Sequence, residues 1–156
     1  MLFLGHIGIT AFVSSMIYLS ALGGIIGVLL PDIIDKGLFI LGHAPCSRFI
    51  AHSIFFFPVA GVVTYAITRN KKLALAVALG AFLHLLQDMH DNVPFLYPLK
   101  DYAFFDTCKQ IEITFTKFVI VTELIGGSLF IFVFRFSRRF IEFRRSIWKF
   151  INNLTR

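Results

Sequence analysis

The sequence predicts an all-α, polytopic integral membrane protein: three full spans, an N-terminal helical hairpin or single span before them, and a C-terminal amphipathic helix. Three observations lead there. Of 156 residues, 57% are hydrophobic, 20 are Phe, and the mean hydropathy is +0.79. Charged residues make up only 15%, against about 25% in a typical soluble domain. The apolar residues also come in long unbroken runs instead of the alternation of a half-buried strand. This composition and length suit one membrane-embedded helical domain over 1–134, carrying the candidate site, and a basic amphipathic interfacial tail over 135–156.

The first run, 7–30, contains no charged residue. It reads either as one span or as two short helices broken near Ser20-Ala21-Leu22-Gly23-Gly24, because paired glycines weaken a helix without always ending it. Pro31 is expected to close that run and leave Asp32 and Asp35 at the interface. Runs 53–68, 73–87 and 118–134 read as the full spans. Each is short against the ~20 residues a crossing needs, so their ends should continue as helix into more polar surroundings. Residues 92–117, with Pro94, Tyr97, Pro98 and Tyr102, read as an aromatic outer loop that caps a site or receives a lipid. No secretory signal peptide is expected, since Met1-Leu2-Phe3-Leu4 offers no basic n-region.

Charge placement sets the expected orientation. Residues 1–134 hold eight Lys/Arg against eight Asp/Glu, so the net charge of +6 sits wholly in 135–156. Arg69-Asn70-Lys71-Lys72 and the tail are the basic segments, and both are expected in the cytoplasm. The tail repeats Phe136, Phe140, Phe143, Ile147 and Phe150 at helical spacing, with Arg138, Arg139, Arg145 and Lys149 elsewhere and Trp148 suited to the headgroup layer. That pattern fits a helix on the inner leaflet beside anionic lipids, or else a packed extension of the last span. Nucleic acid is not expected as a partner. Cys46 and Cys108 then fall outside, where they can pair in an oxidising compartment. No CxxC is present, so a cysteine-based zinc site is unsupported.

Within the apolar run Gly80-Ala81-Phe82-Leu83-His84-Leu85-Leu86-Gln87-Asp88, His84 and Asp88 share a helical face. An imidazole and a carboxylate there need partners, and a metal ion bound by nitrogen and oxygen is one that fits. Asp32 and Asp35 share a face if that segment is helical; ordinary solvation of a helix end is the plainer reading. Arg48 stands four residues before His52, a spacing that can hold a phosphate beside a metal-bound His, or that simply lets an arginine reach headgroups. On the expected topology Asp32, Asp35, Arg48, His52, His84 and Asp88 all gather at the outer membrane face. His6 joins them only if 7–30 is a hairpin. Glu123, inside the last run, is costly there and is expected to make a structural hydrogen bond.

Gly5-His6, Leu30-Pro31-Asp32, Arg48 with His52-Ser53, His84 with Asp88, and Pro98 follow one another in this order. The order resembles that of the membrane-bound metal-dependent hydrolase family, which includes LexA-regulated inner-membrane members, and the resemblance covers about residues 5–98. It implies metal ligands at His6, Asp32, His52, His84 and Asp88, and matches the family's Arg at Arg48. The second Asp comes three residues after Asp32, as Asp35, where the family has it two after. Lys36 stands where a His is usual, Ser47 replaces the His before Arg48, and Ala51 the Thr before His52. His90-Asp91-Asn92 follows Asp88 in place of the family's Thr and Gly.

The resulting expectation is a divalent metal ion, zinc first with manganese or magnesium as alternatives, at the extracytoplasmic face of a cell or inner membrane. The resemblance implies metal-dependent hydrolysis, and Arg48 at headgroup level suggests a phosphoester in a lipid or lipid-linked substrate. Arg48 would hold the phosphate; Asp35 would complete the metal shell or act as general base. Two other classes stay open: a non-catalytic membrane protein whose cluster is a polar network or structural metal site, and, third, a transporter using Glu123 and His84. Oligomeric state is not legible.

Overall fold

A computed structural model describes residues 3–108 and 116–136. They form five α-helices and two short 3₁₀ turns, without a strand among the described residues. The helices are α1 (Phe3–Met16), α2 (Ala21–Ile40), α3 (Phe56–Thr68), α4 (Lys71–Gln87) and α5 (Lys117–Phe136). One 3₁₀ turn, Ile50–His52, precedes α3, and the other, Ala103–Asp106, lies in the segment between α4 and α5. The expected tail beyond residue 136 lies outside the described residues.

The N-terminal run is a hairpin, not a single span. Ser20 caps α2, its hydroxyl accepting the Gly23 amide at 3.1 Å, as a helix start requires. The break therefore falls at residues 17–20, and Gly23 and Gly24 lie inside the first turn of α2. Pro31 does not end α2; the helix continues to Ile40 with the proline inside it. Close packing of α2 along α4 holds it there. A Cβ on Gly80 would overlap the Gly24 carbonyl, and one on Gly27 the Val77 carbonyl. Small residues at such contacts are how helices associate where lipid removes the hydrophobic drive. At the other end of the bundle α1 packs on α5 with Gly8 against the Gly126 backbone.

The packing runs α5–α1–α2–α4–α3. Asn70 caps α4 through the Leu73 amide at 3.1 Å, just after Arg69 ends α3 with a left-handed φ of 54°. The connection through Arg69-Asn70 is thus a tight turn, and α3 and α4 form an antiparallel pair.

The interior is polar and small, while the exterior is apolar. The largest fully buried side chains include His52, His84, Thr10 and Asp35, alongside Val28 and Pro31. Ile33, Val62, Ile67, Leu124, Ile131 and Phe132 are exposed. A water-soluble fold has the reverse arrangement, and an apolar shell this extensive needs a covering medium. Among the described residues α5, with 20 residues, is the one helix long and apolar enough to cross a membrane by itself. Helix α3 has 13 residues and α4 has 17, so two of the three runs expected as full spans, 53–68 and 73–87, are shorter elements than α5, which covers the third.

Candidate metal centre

Five side chains from separate parts of the chain meet inside the bundle: His6 from the first turns of α1, Asp32 from α2, His52 from the first 3₁₀ turn, His84 from α4, and Asp88 capping α4. His84 sits at their centre. Its Nε2 lies 3.1 Å from His52 Nε2, 3.9 Å from Asp32 Oδ1 and 3.7 Å from Asp88 Oδ2. Asp32 Oδ1 is 3.6 Å from His52 Nε2, and Asp88 Oδ1 is 3.2 Å from His6 Nε2. The His6 and His84 rings stack with centroids 4.5 Å apart.

The far sides of the two central imidazoles fix which nitrogen faces inward. His84 Nδ1 is 2.7 Å from the Val28 carbonyl. A carbonyl only accepts, so Nδ1 carries the hydrogen and Nε2 presents a lone pair. His52 Nδ1 is 2.7 Å from Asp35 Oδ2. Asp35 already accepts the amides of Phe49 at 2.6 Å, Ala51 at 2.9 Å and His52 at 3.1 Å, so it accepts here as well. When neutral, His52 therefore also aims its Nε2 lone pair at His84. Two lone pairs at 3.1 Å with a carboxylate beside them repel unless a proton or a cation lies between.

Burial opposes charge on His52, but the Asp32 and Asp35 carboxylates outweigh it and hold the imidazole above its ordinary pKa. A proton is thus one occupant of the space between the rings. The donor set suits a metal ion equally. Two ligands about 2 Å from a tetrahedral ion stand about 3.3 Å apart, close to the separations above. The buried His6 ring adds to the fit: its Nε2 lies 3.2 Å from Asp88 Oδ1, and its Nδ1 has no hydrogen-bond partner among the described residues.

Asp35 does not face the cluster. It is fully buried behind His52 and gathers the three amides of the Phe49–His52 turn. A carboxylate holding the outer nitrogen of an imidazole in this way fixes ring and tautomer. Arg48 and His52 do not lie on one helical face as expected. Arg48 precedes the 3₁₀ turn in an irregular connection and reaches across to α4, its Nε 3.3 Å from Asp88 Oδ2 and its Nη2 2.7 Å from Asp91 Oδ2. The helix that would align them is interrupted because Asp35 takes the amides of this segment.

Access is narrow. His52 and His84 are sealed, whereas the Asp32 side chain keeps 14% of its surface, with Lys36 and Arg48 about one-third exposed beside the cluster. Lys36 Nζ is 2.8 Å from Asp32 Oδ2. Cys46 and Cys108 form a disulfide, tying the Arg48 connection to the segment after α4. There the Phe49 ring packs on Tyr97 and Phe105, with centroids 4.6 and 5.7 Å away. Over residues 92–108, then, the aromatic loop sits on the turn that carries His52.

A family model, described as YdjM inner membrane protein, matches residues 1–150. The chain belongs to the YdjM inner membrane protein family. No curated protein and no solved structure matches it. Family membership makes this a membrane protein and accounts for the apolar exterior around the polar interior. The description carries no reaction, so chemistry must be argued from the site.

Sequence reasoning did not find the Val28 carbonyl as the partner of His84, since backbone partners leave no trace in side-chain patterns. It also gave no partner for Glu123. That carboxylate accepts the Leu4 amide at 2.9 Å and the Gly5 amide at 3.1 Å, capping α1 one residue before His6. Orphan donors and a positive dipole end explain why an acid in the α5 run settles there.

Proposed function

We propose that this chain is a metal-dependent hydrolase of the inner membrane, acting on a phosphoester of a lipid or lipid-linked substrate at the outer membrane face. The observation that carries the reading is the pair of His52 and His84 Nε2 atoms converging with Asp32 Oδ1, each ring held from behind. A divalent ion, zinc first with manganese or magnesium as alternatives, would be held by His52, His84 and Asp32, with His6 and Asp88 completing the group. Such an ion supplies Lewis acidity for a phosphoryl oxygen and lowers the pKa of a coordinated water. Asp35 orients His52. Arg48, drawn from its carboxylate partners, and Lys36 place two cations beside the opening, which favours an anionic substrate.

The outer-face placement rests on the basic Arg69–Lys72 turn, which belongs inside by charge, and on the Cys46–Cys108 disulfide, which favours an oxidising compartment. A polytopic arrangement, with the C-terminus inside, follows if α3, α4 and α5 all cross. The depth of the cluster favours one second reading, a structural metal site without turnover. Phosphate release from lipid phosphates in detergent micelles distinguishes the two. The hydrolase reading predicts release that chelation stops, that His84→Ala abolishes, and that Arg48→Ala lowers. Bound metal with no release from lipid phosphates would favour the structural site, and unchanged turnover in Arg48→Ala would remove the phosphate-clamp role.

A further inference from the structure

Two ligand groups can be drawn in the cluster, His6 with His84 and Asp88, and Asp32 with His52 and His84. They share His84, and His84 has one nitrogen to give. Its Nδ1 is committed to the Val28 carbonyl at 2.7 Å, so only Nε2 can bind an ion, and it can bind only one. Filling either group therefore takes the central ligand from the other. A bridging carboxylate is the usual way for two ions to share so small a space, and Asp32 is the candidate bridge. Its Oδ1 faces His52 and His84, but its Oδ2 is held by the Lys36 ammonium at 2.8 Å.

Lys36 is one helical turn after Asp32 on α2, so this contact is built into the helix. The ammonium sits on the one oxygen of Asp32 that a second ion would need. Resting on the metal reading above, we propose that the site takes a single divalent ion and that Lys36 is the fixed cation occupying the place of a second. The lysine also keeps Asp32 turned to give one oxygen to the ion. Lys36 is thereby a positioning residue for the metal, and the determinant of how many ions bind.

Metal counting tests this without any activity. The full-length protein in detergent is dialysed against manganese(II) or zinc(II), and bound metal is measured by atomic emission. The wild type is expected to hold about one ion per chain, and Lys36→Glu, which puts a carboxylate in place of the ammonium, about two. Lys36→Met, which removes the charge without adding a ligand, is expected to stay at one and controls for folding. With manganese, the wild type should give the electron paramagnetic resonance spectrum of an isolated ion, and Lys36→Glu the broadened spectrum of a coupled pair, since paired ions sit about 3.5–4 Å apart. Two ions in the wild type, or one ion in a folded Lys36→Glu protein, would overturn the proposal. No ion in any form would instead remove the metal reading itself.

Discussion

Asp35 is the residue on which the site's geometry turns. Four hydrogen bonds end on its carboxylate, three from the turn before α3 and one from the His52 ring. Asp35→Ala leaves those amides buried without an acceptor and is expected to lower stability by about 3 kcal/mol, read as a fall in thermal midpoint in detergent. Asp35→Asn keeps the shape but misorients the ring, and should weaken metal binding by roughly 10- to 100-fold, read by titration with zinc(II). The same ring sets a pH dependence. Below its raised pKa His52 holds a proton that competes with the ion. Metal affinity should therefore rise as pH is raised above the ordinary imidazole range, with net proton release visible as a buffer-dependent heat of binding. Of these residues, His84, Asp88, His52 and Asp32 were legible in the sequence as polar groups in or beside apolar runs. The role of Asp35 was not, because a carboxylate facing a metal and one standing behind a ligand look alike in sequence.

Helix boundaries show the same division. The α1–α2 hairpin was one of two readings until the Ser20 cap and the α2–α4 contact decided it, and both are matters of three-dimensional proximity. Pro31 misled because a proline's local preference yields when neighbouring helices clamp the chain on both sides. That clamp gives a direct test. Gly80→Ala forces a methyl into the Gly24 carbonyl of α2, and should cost about 2 kcal/mol of stability, seen in thermal unfolding. On the other side of the bundle, Glu123→Ala should remove about 1–2 kcal/mol by uncapping α1. Glu123→Gln, which still offers an oxygen to the Leu4 or Gly5 amide, should lose less. An equal loss in both variants would argue against the cap.

At the scale of the whole molecule, an apolar exterior encloses a polar centre among the described residues, and the family makes this a membrane protein. The class was legible from composition, since a chain this apolar and this poor in charge has no other medium that suits it. The gathering of Asp32, His52, His84 and Asp88, with His6 if the first run is a hairpin, was also expected; the contacts that hold them were not, because these depend on which helices neighbour which. The helices end in different places than their apolar runs, so side accessibility is the measurement that fixes topology. Asn70→Cys, in the α3–α4 turn, should react with a membrane-impermeant thiol reagent only from the cytoplasm, and Leu99→Cys only from outside. The central claim, that the cluster is built for a metal ion, has a more direct test still. It is the divalent metal content of the purified protein beside that of His84→Ala, with folding of the variant checked by its helical circular dichroism. The geometry predicts metal bound stoichiometrically in the wild type and lost in the variant. Two folded, equally metal-free preparations after dialysis against zinc(II) and manganese(II) would contradict it.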